Sequence, residues 1–395
     1  MKKTIKLAVV AALALGTTSA FATNGSNLIG TGAKARAMGG ATIGIAQGAE
    51  SGLSNGALIT SIDGTEIAFG GTLFMPKVST NFGAGATDSE ADMSMIPEVS
   101  IATKISDNFY AGIGMWGTAG MGVDYRVDPN VMRMVTNLQL MQFGVPLAYK
   151  MNDFSLAITP VLQYGSLDIN YNNGANVGAG VAQDLAFGFN FGASYEIAGV
   201  TIGAIYKSEI EMEYKGQLSN ALQNFGATTY TNDTLSTPAE IGIGASYKIN
   251  EHTIALDYKQ IAWSSAAGYE DFEWEDQDVI SIGYEYATDG WAARIGYNYA
   301  ASPISEQSLA GGLNAAGISY AAINALNLSG FPAIVESHIT LGGSYTLNKQ
   351  TSVDLAYVYA PEVTESYASH NGVNPFTVTT THSQTSLSAA VNFNF

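Results

Sequence analysis

The last ten residues, Ser386-Leu387-Ser388-Ala389-Ala390-Val391-Asn392-Phe393-Asn394-Phe395, follow a two-residue period. Successive side chains of an extended strand point to opposite faces. Leu387, Ala389, Val391, Phe393 and Phe395 therefore share one face, and Ser386, Ser388, Ala390, Asn392 and Asn394 share the other. The same period recurs upstream. Trp291, Ala293, Ile295, Tyr297 and Tyr299 lie opposite Arg294, Gly296 and Asn298. Ile254, Leu256 and Tyr258 lie opposite Asp257 and Lys259, and Val353, Leu355, Tyr357 and Tyr359 opposite Asp354. These runs last roughly ten to fifteen residues, whereas strands of a soluble sandwich are near 5–6. A transmembrane barrel turns the apolar stripe to lipid and the polar stripe to the lumen.

Turn chemistry sets the strand count. Short connections fall at Ser106-Asp107-Asn108, Met151-Asn152-Asp153, Ala198-Gly199, Asn250-Glu251, Thr288-Asp289-Gly290 and Asn348-Lys349-Gln350. Longer polar connections fall near 79–93, 118–134, 168–183, 215–236, 264–275, 302–334 and 362–379. Short and long alternate without a break, as periplasmic turns and outer loops do. The expected fold class is all-β, a 14-stranded antiparallel transmembrane β-barrel over 64–395. Residues 23–63, rich in Gly, Ala, Ser and Asn, show little alternation. A barrel this wide is not filled by its own wall side chains, so 23–63 is expected to fold back as an N-terminal hatch that plugs the lumen.

The start of the chain reads as a secretory signal peptide over 1–22. Met1-Lys2-Lys3 leads into an apolar run from Leu7 to Leu15, and Ala20-Phe21-Ala22 is a small-x-small cleavage box. No later stretch offers about 18 uninterrupted apolar residues, so helical spans are not expected. The chain has 395 residues, of which 47% are hydrophobic and only 13% charged. Asp and Glu number 34 against 16 Lys and Arg, a net charge of −18. That acidity argues against a nucleic-acid partner. The absence of Cys excludes disulfides, thiolate metal sites and thiol nucleophiles. The expected location is the bacterial outer membrane, as a multi-pass barrel.

Three segments carry a family resemblance. The first is Gly32-Ala33-Lys34-Ala35-Arg36-Ala37-Met38-Gly39-Gly40-Ala41, followed by Leu53-Ser54-Asn55-Gly56-Ala57-Leu58. The second is Phe109-Tyr110-Ala111-Gly112-Ile113-Gly114-Met115-Trp116-Gly117, running on to Gly122-Val123-Asp124-Tyr125. The third is Thr237-Pro238-Ala239-Glu240-Ile241-Gly242, with Ala255-Leu256-Asp257-Tyr258 and Trp263-Ser264. The chain resembles the FadL/TodX family of outer-membrane transporters for long-chain fatty acids and other hydrophobic compounds. Gly56 stands where that family usually carries Pro, and Gln47-Gly48 where an acidic pair is common. The resemblance implies passive uptake, with a hatch around Asn55, Gly56 and Ala57. It also implies a kinked third strand at Gly112, Gly114 and Gly117 that opens the wall sideways, and an apolar landing groove in the outer loops.

Other candidates come from the residues themselves. Leu218, Leu222 and Phe225 sit at helical spacing in a predicted outer loop, where an apolar patch suits ligand capture. Lys207, Lys248, Asp257, Lys259, Glu285, Arg294 and Asp354 fall on polar stripes. Of these, Lys207, Lys259 and Arg294 could hold an anionic head group. Gly112-x-Gly114-x-x-Gly117 matches the dinucleotide fingerprint by letter, but no βαβ unit surrounds it. His252, His338, His370 and His382 form no metal-binding spacing. Asp271, Glu273, Glu275, Asp276 and Asp278 surround Trp274 as a solvated loop over 270–278, one that divalent ions could bridge to lipopolysaccharide. The expectation is a monomer that is not an enzyme, with no catalytic residue, metal or cofactor. Its partners are a hydrophobic small molecule (fatty acid or aromatic hydrocarbon), outer-membrane lipid and lipopolysaccharide. The alternatives are an aromatic-hydrocarbon channel and a general porin or structural barrel.

Overall fold

A computed structural model describes residues 23–370, 372 and 374–395; the signal-peptide reading of 1–22 lies outside the described residues. Fourteen strands close into a barrel. They are β1 (Thr65–Asn81), β2 (Ser94–Lys104), β3 (Phe109–Asp124), β4 (Val135–Gly144 and Leu147–Met151), β5 (Phe154–Asn172), β6 (Ala182–Ile197) and β7 (Val200–Lys207). They continue as β8 (Glu240–Ile249), β9 (His252–Ile261), β10 (Gln277–Ala287), β11 (Trp291–Ala300), β12 (Ser337–Asn348), β13 (Thr351–His370) and β14 (Pro375–Asn394). Each pairs antiparallel with the next. β14 closes on β1 from Thr379↔Asn81 to Asn394↔Glu66. Closure leaves every wall strand flanked, which a membrane demands because lipid offers no hydrogen bonds.

The alternation has the expected sense. Ile241, Ile243, Ile254, Leu256, Ile282, Leu341 and Leu355 all stand exposed on the outer face, and Phe187 is 81% exposed. Such a wall is stable only against lipid. Tyrosine hydroxyls find partners near its edges. Tyr258 donates to Asp278 at 2.7 Å, and Tyr284 bonds His252 at 2.7 Å. Among the described residues no helix is long and apolar enough to cross a membrane.

The six short turns lie where expected, but four other features differ. The expected loop 362–379 is mostly strand, because β13 and β14 run on as a hairpin above the wall. Its outward cross-strand pairs are hydroxyls, Thr364 with Thr381 and Ser366 with Thr379, so it carries no outward apolar stripe, while Tyr367 and Val378 on the other face are buried. β4 breaks at Val145-Pro146, and β3 extends to Asp124. The connection 302–334 carries an unforeseen helix, α3 (Tyr320–Ser329), buried from Ala321 onward. Two shorter helices precede it, α1 (Ala33–Ala37) and α2 (Leu218–Asn224).

Candidate functional site

Residues 23–63 lie inside the ring of strands. Asp257 on β9 accepts the backbone N–H groups of Thr42 at 2.6 Å, Ile43 at 2.7 Å and Gly44 at 3.4 Å. Arg36 donates to Ser386 on β14 at 2.6 Å. Gly39 N–H donates to the Thr340 hydroxyl on β12, which itself donates to the Ala37 carbonyl, each at 3.0 Å. The wall meets this backbone with glycines. A Cβ on Gly203 would stand 1.7 Å from the Ile43 carbonyl, and one on Gly296 would stand 2.1 Å from Gly39 N. Only a residue without a side chain allows that approach.

Asn55, Gly56 and Ala57 begin the last turn of this inner segment, the 3-10 helix Gly56–Ser61. The Asn55 side chain caps it by accepting Ala57 N–H, and donates to the carbonyls of Ile43 at 2.8 Å and Ala193 at 3.1 Å. Asn55 therefore ties two parts of the segment to β6. Gly56 has an ordinary backbone, and its Cβ position is 3.0 Å from the Thr159 hydroxyl.

Gly112, Gly114 and Gly117 lie on β3, where the wall parts. β2 and β3 pair from Lys104↔Tyr110 up to Glu98↔Trp116 and no further. A register shift follows between Gly117 and Ala119 on the β4 side. β2 continues through Ser94–Pro97 against β1 alone. The connection leading into β2 meets β3 again higher up, where Glu90 N–H donates to the Asp124 carbonyl at 2.8 Å. The result is a bounded gap in the wall, consistent with glycine and bulges marking bends. The three glycines differ in role. Gly117 faces Ile96 across the gap, Gly114 makes room for Leu53, and Gly112 makes room for the Ile101 carbonyl.

The cations separate into two groups. Lys207 and Lys259 reach one carboxylate oxygen of Glu240, each at 3.2 Å, while Asn27 donates to the other at 3.1 Å. A cavity of about 40 Å³ lies among Asn27, Trp116, Thr118, Lys207, Glu240 and Lys259. That holds water and no more, so the described conformation is shut. Arg294 lies apart, bonded to Glu285 at 2.7 Å and Ser344 at 2.6 Å. It belongs with Lys34 and Glu66 to a second cavity of about 220 Å³. Lys248 is exposed near the short-turn rim.

Glu50 is buried beneath Gly32 in the inner segment. Burial raises its carboxyl to about 8, Lys34 and Arg294 oppose the rise, and Glu98 and Asp354 add to it. A carboxyl with a raised folded value binds more protons when seated than when released. Seating is therefore strongest at low pH and weakens between the ordinary carboxyl value of 4.5 and about 8, by up to ~1.4 kcal/mol per pH unit. We expect hydrogen exchange of residues 30–55 to quicken over that window, and Glu50→Gln to flatten the dependence. An equal slope in the variant would assign the effect to another group.

Leu218 and Leu222 face inward from α2 and are buried, while Phe225 stands half-buried at its end, 4.7 Å from the Tyr171 ring. Above the lumen, Trp263, Tyr269 and Trp274 form an aromatic trio with centroids 4.6–5.0 Å apart. Gly25 passes directly beneath Trp263. α3 fills the mouth beside them, with Trp274 donating to Asn327 at 3.1 Å. In the acidic loop, Asp271 accepts Tyr230 and Asn232, and Asp276 accepts Ser264. Glu240, Trp263 and Asn27 are not among the site residues expected from sequence. The first two lie in quoted motifs, whereas Asn27 carried no signal.

A family model described as "Outer membrane protein transport protein (OMPP1/FadL/TodX)" matches residues 7–310. Solved structures share the fold. A Pseudomonas aeruginosa FadL homologue is 15% identical at a TM-score of 0.72, over 94% of this chain and 100% of its own. The P. putida toluene transporter TodX is 16% identical at 0.67, over 93% and 99%. The Ralstonia pickettii toluene transporter TbuX is 15% identical at 0.64, over 93% and 98%. No curated protein sequence matches.

Proposed function

The chain belongs to the outer membrane protein transport family (OMPP1/FadL/TodX) and sits in the bacterial outer membrane, and from that premise we propose passive uptake of hydrophobic molecules, long-chain fatty acids first among them. The observation that carries this reading is the bounded gap between β2 and β3, backed by a cavity where two lysines share one carboxylate. An apolar chain is captured where α2 and Phe225 meet the outer loops, gaining roughly 0.8 kcal/mol per buried CH₂. The loops must part first, since Leu218 and Leu222 are buried. The acid head group then descends to Lys207 and Lys259, and the chain leaves through the gap at Gly117. Residues 23–63 act as the hatch, held by Asn55 and Asp257, and block a straight aqueous route. Arg294 braces the periplasmic side of that hatch.

A second reading, uptake of a neutral aromatic hydrocarbon, is favoured by the aromatic trio over the lumen. An open porin fits poorly with a lumen occupied by residues 23–63. The test is uptake of a labelled C18 fatty acid and of labelled toluene by Gram-negative cells lacking their own transporter, with and without this chain. Saturable uptake of the acid supports the first reading, and uptake of toluene alone supports the second. Uptake of neither by a folded barrel removes both.

A further inference from the structure

The cross-strand rows that close the barrel also sort its outer face by height. One row runs Ala293–Gly343–Leu355–Ala389–Gly71–Pro97, from β11 through β12, β13, β14 and β1 to β2. Gly343, Ala389 and Gly71 bring little or no side chain to it. The neighbouring rows are bulky, with Tyr345 and Phe69 toward the short turns and Tyr357 and Leu73 toward the loops. The result is a furrow of about 1180 Å³ in the lipid-facing wall.

Higher on the same strands the chemistry changes. Lys77 on β1 pairs with Ser383 on β14, is exposed, and carries no ion pair among the described residues. It follows Gly71 by six residues. At about 3.4 Å per residue and a tilt of about 40°, it stands about 15 Å nearer the outer surface, half of a hydrocarbon core of roughly 30 Å. The furrow thus lies near the bilayer midplane when Lys77 is at the head-group plane. Above Lys77 come hydroxyls. Ser79, Thr381 and Thr364 share one outward row, and Thr379 and Ser366 share the next. Thr364 bonds Thr381 at 2.9 Å and Ser366 bonds Thr379 at 2.8 Å. Each hydroxyl has capacity beyond that one bond, and it faces outward. Glu362, in the bulge of β13, and Asp88, opposite Ser79, flank this strip and leave Lys77 as its cation.

We propose that the outer face of β12, β13, β14 and β1 is a binding site for a phosphorylated, multiply acylated saccharide lipid, the chemistry of lipopolysaccharide. The three tiers match the three parts of such a molecule in order and in height. Acyl chains run down past Leu73 and Tyr357 and end in the furrow. A phosphate meets Lys77. The first sugars lie over the hydroxyl rows and exchange hydrogen bonds with them. An ordinary phospholipid satisfies the furrow and the cation but leaves the hydroxyls to water. The site therefore prefers the saccharide lipid. It faces away from the lumen, and it stands whatever the lumen carries.

The test titrates the purified barrel with three lipids and reads bound lipid by native mass spectrometry. They are lipid A carrying its inner-core sugars, lipid A alone, and phosphatidylglycerol. The expected order is the order of naming, with the sugar-bearing form at least tenfold tighter than phosphatidylglycerol. Equal binding of all three overturns the site. Lys77→Glu is expected to weaken both forms of lipid A about tenfold. Lys349→Glu makes the same charge change at the opposite rim, in the turn Asn348-Lys349-Gln350, and is expected to leave binding unaltered. No loss in Lys77→Glu, or an equal loss in both, overturns the phosphate contact. The joint variant Thr364→Val, Ser366→Ala, Thr379→Val and Thr381→Val is expected to erase the preference for the sugar-bearing form and to spare phosphatidylglycerol. A preference that persists overturns the saccharide contact. Ala389→Trp fills the furrow and is expected to weaken all three lipids, and unchanged binding overturns the seat for the chains. All these side chains face outward, and heat-modifiable migration on a gel verifies each fold.

Discussion

A barrel carrying Asp257→Ala is expected to leak ions. The Asp257 carboxylate is the acceptor for Thr42 and Ile43. A hydrogen bond to a charged group contributes about 1.5–3 kcal/mol, and a buried donor left bare costs about as much. Two such bonds shift the balance between seated and released segment by about 3–6 kcal/mol, roughly two to four powers of ten. The strands themselves are untouched, since Asp257 points into the lumen and its backbone ladder with β8 and β10 remains. Planar-bilayer recordings are expected to show open bursts in the variant and a quiet unaltered channel. Asp257→Asn keeps one acceptor oxygen and is expected to fall between them. A quiet Asp257→Ala channel of normal fold would mean that the glycine contacts and the remaining ties through Arg36, Thr340 and Asn55 seat the segment without it.

Gly117→Phe is expected to abolish uptake while the barrel still folds. A Cβ at this position points across the gap, 2.5 Å from Ile96 Cγ2. That neighbour is a side chain, so the wall can yield where a backbone neighbour could not. A benzyl group has nowhere to go but into the opening. An added barrier of only ~1.4 kcal/mol slows passage tenfold, and a filled gap adds more. The readout is fatty-acid uptake, with heat-modifiable migration on a gel as the check on folding. Ile96→Ala in the same chain is expected to restore part of the flux. Normal uptake in Gly117→Phe would move the exit elsewhere.

Much of this architecture was legible because lipid imposes a strict period. Any strand that crosses apolar solvent must alternate, as Leu387 to Phe395 do, so strand number and the six short turns followed. The signal fails where lipid ends. Thr364, Ser366, Thr379 and Thr381 stand above the wall, need no apolar stripe, and read as loop although they are strand. α3 was hidden for the opposite reason. Buried on every side from Ala321 to Ser329, it has no polar face to give it a helical period. The site was harder still. Lys207, Glu240 and Lys259 lie on three successive strands, and only register brings them to one point. Asn27 looks like any other polar residue in a Gly-, Ser- and Asn-rich run.

The ties that hold residues 23–63 in place reach far along the chain. Arg36 meets Ser386, 350 residues later, and Lys34 meets Asp354. A growing chain that stops short of Ser386 lacks the partner of Arg36. Residues 34–36 reach these partners only once β13 and β14 are in place. Contacts of this sequence separation form slowly. The closing of the lumen is thus a late event, set by partners at opposite ends of the sequence.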